Sequence, residues 1–222
     1  MGEVLTVFLG VVGVGVIGFR SGDVTGGNAN AHAVVLPLLA TQLLWINLVT
    51  DLGPALALGI DPPVGDLMAR PPRHQTERLI DGRMWRDVFA IGLETAALTL
   101  ITMDMQLPGG LIEGSQSLTT ARTAGCTVLV LASLFNCVCA RSDTASAFTH
   151  PFANRWLWAA IALSALLQVA VVHLPWLNVA FGAAPLSAPQ WATCVVLASG
   201  VLWFSELRKA VGRIGSSDKQ KS

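Results

Sequence analysis

Residues 41–55 read Thr41-Gln-Leu-Leu-Trp-Ile-Asn-Leu-Val-Thr-Asp-Leu-Gly-Pro-Ala55, an apolar run interrupted by a polar cluster. Asn47, Thr50 and Asp51 are spaced i, i+3, i+4, so on an α-helix these three oxygen-bearing side chains share one face. An ionisable group inside an apolar span is costly and by default marks an ion or substrate pathway. The cluster therefore predicts a transmembrane helix with a polar site near its middle.

The Gly53-Pro54 pair follows this cluster directly. Proline has no N–H and clashes with the preceding turn, so we expect a break in the helix that exposes carbonyls near residues 50–53. Unwound backbone at membrane depth is tolerated where it lines a site, as in transporters with broken helices. The pair is therefore expected to add backbone oxygens to the predicted site.

The composition of the 222 residues agrees with a membrane protein, because 53% are hydrophobic and only 13% are charged. The formal net charge is zero, so no bulk field favours nucleic acid, and the lipid bilayer is the expected surrounding. Apolar stretches predict an all-α, polytopic membrane helix bundle of about six transmembrane helices. These stretches are residues 4–19, 34–60, 88–103, 123–140, 156–174 and 191–204.

Basic residues predict the orientation, since cytoplasmic loops keep an excess of Lys and Arg. All of them except Arg20 and Arg122 fall in the link 61–86, in the link between the fourth and fifth stretches, or after residue 207. We therefore expect a membrane domain over 1–207 with a cytoplasmic loop over 61–86. A basic tail over 208–222 then lies in the cytoplasm, as does the N-terminus.

The first apolar stretch is too short to cross a hydrocarbon core about 30 Å thick. It is either an interfacial helix or the outer part of a longer one. In the second case Glu3, at its inner end, places a carboxylate deep in the membrane. Glu3 is therefore a candidate partner of the polar cluster.

The ligand chemistry indicates the class of ion. Carboxylate, amide and hydroxyl oxygens suit hard cations, and calcium takes about six to eight oxygens. Glu3, Asn47, Thr50 and Asp51 together offer at most about six oxygens, so these four residues are the predicted metal ligands. The alternative is a polar cluster that joins helices by hydrogen bonds.

The run from Gln42 to Asp51, continued through Arg70-Pro-Pro-Arg73, closely resembles the sixth transmembrane helix and following loop of P-type cation-transporting ATPases. The calcium-pump branch is the most similar. A weaker similarity covers the whole chain: Gly2-Glu3-Val4 looks like the middle of the fifth helix and Asn136 falls in the eighth. Ser205-Glu-Leu-Arg-Lys209 looks like the end of the tenth.

This resemblance implies the outer part of helix five followed by helices six to ten. It implies that Asn47 and Asp51 coordinate the transported cation, and that Thr50 and Glu3 are ligands of the site nearer helices five and eight. The link 61–86 matches the loop that couples the phosphorylation domain to the membrane. Ser133 occupies a position that is acidic in two-ion pumps, which favours a single ion.

The phosphorylation motif Asp-Lys-Thr-Gly and the dephosphorylation motif Thr-Gly-Glu do not occur in the chain. We therefore expect no ATP hydrolysis by this chain alone. ATP and Mg²⁺ would act only through cytoplasmic domains carried by the N-terminal part of the pump, in the same gene or in a separate chain.

The predicted cargo is Ca²⁺, with Mn²⁺, Na⁺ and H⁺ left open because similar oxygen sets serve them, and the predicted location is the plasma membrane. The rival interpretation is a non-enzymatic membrane fragment or scaffold without transport activity.

Overall fold

The computed structural model describes residues 1–12, 37–60, 82–107, 116–140 and 155–219, with side chains at all of these except positions 50, 51, 83 and 210–219. Every regular element in these ranges is helical, which confirms the all-α prediction for the described residues. The elements are α1 (Gly2–Val12), α2 (Ala40–Ile46), a π-helix (Asn47–Leu52), α3 (Gly53–Gly59), α4 (Gly82–Asp104), α5 (Leu118–Ala140), α6 (Arg155–His173), α7 (Pro175–Phe181) and α8 (Ala188–Lys219).

Two of these helices, α5 and α6, are long and apolar enough to cross a membrane. They match the predicted stretches 123–140 and 156–174 to within a few residues, because an uninterrupted apolar run leaves a helix as the only backbone that satisfies its own hydrogen bonds in lipid. The count of six crossings stays a prediction. Residues 13–19 of the first predicted stretch and residues 61–81 of the predicted loop lie outside the described residues.

Two boundaries differ from those expected. Helix α4 begins at Gly82, so residues 82–86 of the predicted loop are helical. Helix α8 continues to Lys219 and includes most of the predicted tail; residues 206–210 are good helix formers although the hydropathy falls after Phe204. The division into a domain over 1–207 and a tail over 208–222 therefore falls inside one helix.

Short helices are delimited by local chemistry. Helix α2 begins where the Gln42 side chain accepts a hydrogen bond from the Leu39 N–H at 3.1 Å. Helix α7 begins with Pro175, whose missing N–H is not needed in a first turn, and it ends at Gly182 with φ +58°. This short helix was not predicted from the apolar runs.

The centre of the bundle is the packing of α5 against α4 and α8. Small residues dominate the α5–α8 contact and allow the backbones to approach closely: Ala124, Val128, Ala132, Cys194, Ala198 and Val201 are buried there. Towards α4 the approach is closer still, because a Cβ added to Gly125 would lie 2.7 Å from Met103 Cγ. This tightly packed unit is the scaffold on which the polar segment is held.

Helix α1 packs along α4 and thereby places Glu3. A Cβ at Gly2 would lie 3.2 Å from Thr95, and a Cβ at Gly92 would lie 3.1 Å from the Cβ of Met1. A Cβ at Gly10 would lie 2.7 Å from Pro37 Cγ and 3.3 Å from Leu100 Cδ2 of α4. The register of α1 on α4 is therefore set by close contacts at both ends of the short helix.

Candidate functional site: a polar cavity beside a π-helix

The polar cluster lies on a π-helix, Asn47–Leu52, that joins α2 to α3 without a break. The expected rupture at Gly53-Pro54 does not occur. The backbone instead widens to i→i+5 hydrogen bonding in the turn before the pair, and Pro54 lies in the first turn of α3, where its missing N–H is harmless. The helix thus accommodates proline by adding a residue to the preceding turn.

This widening changes the spacing argument for the cluster. Residues i, i+3 and i+4 share a face in an α-helix, but the π-helix carries one more residue in each hydrogen-bonded turn. The α-helical face assigned to Asn47, Thr50 and Asp51 therefore does not apply within this segment. The side chains of Thr50 and Asp51 lie outside the described part of the chain, so their roles as ligands stay predictions.

The carbonyl that a distant side chain reaches in this segment is that of Val49. Ser164 on α6 donates its hydroxyl to Val49 O at 2.9 Å, and Ser164 is buried. The π-helix ends at Leu52, and the next bond of its i→i+5 series would need an N–H at residue 54, where the chain has proline. The Ser164 hydroxyl of α6 thus donates to the Val49 carbonyl in place of the N–H that Pro54 lacks.

Two of the four predicted ligands are brought together by the fold. Asn47 donates its Nδ2–H to Glu3 Oε2 at 2.9 Å, across 44 residues of sequence. The same amide nitrogen also donates to Leu43 O at 2.9 Å, which orients the side chain along its own helix. A carboxylate of α1 and a carboxamide of the π-helix therefore meet at one point of the bundle.

Their meeting point lies on the wall of a cavity of about 450 Å³. Helices α1, α3, α4 and α5 and the π-helix all contribute to this wall. Helix α5 adds two polar side chains, Ser133 and Asn136, and α4 adds Thr95. Carboxylate, amide and hydroxyl groups thus converge on one space that is otherwise lined mainly by apolar residues.

A buried polar network that joins α2, α5 and α6 was not predicted from the sequence. The indole Nε1–H of Trp45 donates to Gln168 Oε1 at 3.2 Å, and Gln168 Nε2–H donates to Thr127 Oγ1 at 3.0 Å. Gln168 is only 1% exposed. The available signal was the spacing of Ser164 and Gln168, four residues apart in the otherwise apolar helix α6.

Comparison with known proteins adds the family. The model of the family described as "Cation transporting ATPase, C-terminus" matches residues 35–211. The chain belongs to this family. The resemblance to P-type cation-transporting ATPases is therefore confirmed over α2 to α8, and the cation-transporting ATPase family is one of membrane proteins. The matched region contains Asn47, Thr50 and Asp51 and begins after Glu3.

Curated relatives of this cation-transporting ATPase domain carry similar names. A calcium-transporting ATPase of Bacillus subtilis (strain 168) is 36% identical over 163 residues, which cover 72% of the chain and 17% of the relative. The probable cation-transporting ATPase F of Mycobacterium tuberculosis (strain ATCC 25618 / H37Rv) is 32% identical over 176 residues, covering 78% of the chain and 19% of the relative.

A third relative, from Arabidopsis thaliana, is calcium-transporting ATPase 4 of the endoplasmic reticulum type. It is 29% identical over 230 residues, covering 81% of the chain and 22% of the relative. The chain thus spans about a fifth of the length of these relatives.

Proposed function

We propose that this chain forms the ion-translocating membrane part of a calcium-type P-type ATPase. In that role it holds one dehydrated cation with the side-chain oxygens of Glu3, Asn47, Thr50 and Asp51. The observation that carries the proposal is the 2.9 Å contact between the Glu3 carboxylate and the Asn47 amide on the cavity wall. Residues 44 positions apart meet at the place where the family resemblance puts an ion.

The chemistry of the cavity supports a hard cation. A carboxylate that is withdrawn from bulk water is stabilised by an ion that replaces its hydration, and oxygen ligands favour Ca²⁺ over softer metals. The α5 position that the family resemblance makes acidic in two-ion pumps is Ser133 here. It adds a hydroxyl to the cavity wall and no second carboxylate. The set therefore fits one ion better than two, and the names of the relatives from Bacillus and Arabidopsis make Ca²⁺ the first cargo to test.

The remaining parts of the proposal concern the whole pump. ATP and Mg²⁺ act in cytoplasmic domains of the polypeptide that completes this chain, and the link 61–86 transmits their movement to the π-helix. The six apolar stretches support six crossings, and the distribution of basic residues supports both termini in the cytoplasm. The plasma membrane is the proposed location.

Direct binding of Ca²⁺ tests the site in the chain as it exists. The purified chain in lipid nanodiscs is titrated with Ca²⁺ by calorimetry, with Mn²⁺ and Na⁺ as competitors. The variants Glu3→Gln, Asn47→Ala and Asp51→Asn each weaken Ca²⁺ binding by more than about tenfold, since loss of even an indirect metal partner has an effect of that size. Asn178→Ala on α7, away from the cavity, is the matched control and binds as the parent does.

Three results contradict the proposal. A folded parent chain that binds no Ca²⁺ favours the rival interpretation of a membrane scaffold without transport activity. Binding that survives all three ligand substitutions places the ion elsewhere. Displacement of Ca²⁺ by Na⁺ at equal concentration assigns the site to a monovalent ion.

A further inference from the structure

Helix α6 makes a series of three contacts with residues 45–53, the segment that contains the π-helix. Gln168 pairs with Trp45 at 3.2 Å and Ser164 pairs with Val49 at 2.9 Å. One turn further, the Cβ of Ala160 is 4.0 Å from a Cβ built on Gly53. Between successive contacts the position on α6 decreases by four residues and the position on the segment increases by four. One face of α6 therefore lies against the segment over its whole length.

The two polar contacts of this series bracket the candidate ligand Asn47, which lies two residues from Trp45 and two from Val49. Both α6 side chains are almost fully buried, Ser164 at 3% and Gln168 at 1% exposure. Long polar side chains in an apolar helix are costly unless they are bonded, and these are bonded to the segment itself.

The contact between Gln168 and Trp45 is also connected to the packed centre of the bundle. Gln168 donates to Thr127 on α5, the helix whose next turns contribute Ser133 and Asn136 to the cavity. The Thr127 hydroxyl in turn donates to the Thr123 carbonyl of its own helix at 2.8 Å. Gln168 therefore fixes the position of Trp45, just before the π-helix, relative to α5. Helix α5 also lines the cavity.

The hydrogen bond from Ser164 to the Val49 carbonyl compensates for the N–H that Pro54 lacks. If Ser164 did not reach the Val49 carbonyl, that buried acceptor would lose a partner that Pro54 has no N–H to replace. The segment would then gain by returning towards a narrower α-helical register. Since the two registers differ by one residue in each turn, Asn47 would rotate relative to Glu3 on α1.

We propose that Ser164 and Gln168 are positioning residues for the ion site, which hold Asn47–Leu52 in the widened π-helical register and thereby set its affinity and selectivity. This inference rests on the proposed function. Neither residue touches the cation: both act through the backbone and side chains of the segment.

The test is a Ca²⁺ and Mg²⁺ titration of the chain in nanodiscs. Ser164→Ala weakens Ca²⁺ binding by about tenfold and lowers the preference for Ca²⁺ over Mg²⁺, as loss of an outer partner does at metal sites. Ser164→Thr keeps the hydroxyl and restores both values to within about twofold. The matched control is Ser199→Ala on α8, whose exposed hydroxyl bonds the Val196 carbonyl of its own helix at 2.7 Å, and it leaves both values unchanged.

A second variant keeps the inference testable if Ser164→Ala gives no stable bundle by circular dichroism. Trp45→Phe removes the indole N–H that Gln168 accepts but keeps an aromatic ring against Phe181, and it weakens Ca²⁺ binding about threefold. Parent-like binding and selectivity in both variants overturns the inference, as does an equal loss in Ser199→Ala.

Failure of the inference is distinguishable from failure of the site. If Asn47→Ala also binds Ca²⁺ as the parent does, the proposed site itself is wrong. If Asn47→Ala loses Ca²⁺ and the α6 variants do not, the site stands and the positioning role alone is refuted.

Discussion

The α4–α5–α8 unit and the α2–π–α3 segment solve the same problem, a helix that must be held in a bundle, in different ways. In the first, small and branched apolar residues interdigitate, and little room is left for a larger side chain. In the second, the helix widens, borders a cavity of about 450 Å³, and is held by specific polar contacts from α6. The comparison teaches that dense packing and the polar cavity use different residues of α5 within one small bundle.

The physical reason for this separation lies in how each kind of contact responds to change. Close-packed contacts are short-ranged and lose their energy with small displacements, so they resist motion. The π-helix makes few close contacts with α5 and α6 and borders a cavity, so less packing resists its displacement. The proposed ion-binding segment thus lies beside the dense unit and not within it.

The sharpest way to break the comparison is to add volume to both regions. Gly125→Leu, where even a Cβ would lie 2.7 Å from Met103 Cγ, lowers the free energy of unfolding by about 3 kcal/mol. Ala55→Leu, on α3, adds a larger side chain on the cavity wall and lowers it by less than about 1 kcal/mol. Reversible unfolding in mixed micelles of increasing SDS content measures both values. Similar losses in the two variants would mean that the regions do not differ in packing.

The link between the two regions is tested at Gln168, which bonds Trp45 of the segment and Thr127 of the packed unit. Gln168→Leu removes both bonds and lowers the free energy of unfolding by about 1.2 kcal/mol, since each interhelical polar contact in a membrane contributes about 0.6 kcal/mol on average. Gln116→Leu, at an exposed position before α5, is the control and changes stability little. A loss in the control equal to that in Gln168→Leu would remove the network from the comparison.

The smallest effects are expected near the C-terminal end of α5, where α8 is joined to its neighbours by two basic residues. Lys209, 8% exposed, donates to the Cys139 carbonyl of α5 at 2.9 Å, and Arg208 lies 2.8 Å from Asp87 of α4. Lys209→Met lowers the free energy of unfolding by about 1 kcal/mol because the bond is buried and charge-assisted. Arg208→Met lowers it by about 0.5 kcal/mol because the ion pair is partly exposed to solvent.

Salt separates these two contributions. The loss in Arg208→Met shrinks when SDS unfolding is repeated in 1 M salt, about 3 Å of screening length, whereas the loss in Lys209→Met persists. An Arg208 effect that is independent of salt would show that packing of its side chain, not the pair with Asp87, joins α8 to α4.

The long helices were predictable because their cause is local. Apolar runs of the right length can only be helical in lipid, and so α5 and α6 were placed to within a few residues. The extent of α8 was not, because hydropathy falls after Phe204 while residues 206–210 keep a high helix propensity, and Arg208 and Lys209 find partners on other helices. Helix α7 was missed because a short helix between Pro175 and Gly182 leaves almost no periodic signal.

The candidate site was predictable in composition and only partly in arrangement. The residue types and the proline indicated a polar site in an irregular helix, and the structure places Glu3 and Asn47 in contact. The form of the irregularity was wrong, since the helix widens instead of breaking. Ser164 was not predicted at all, because nothing near it in the chain indicates that its partner is the Val49 carbonyl 115 residues away.

The amino-acid order alone establishes an all-helical membrane protein, its family, and a hard-oxygen cluster followed by proline, because these depend on composition, local periodicity and motif. It does not establish which carboxylate meets Asn47, which hydroxyl serves Val49, or where a cavity remains. Those contacts join helices far apart in sequence and arise from the simultaneous packing of several side chains. The geometry of these contacts depends on the packing of the whole bundle, because interactions within any single segment do not determine which other helix it meets.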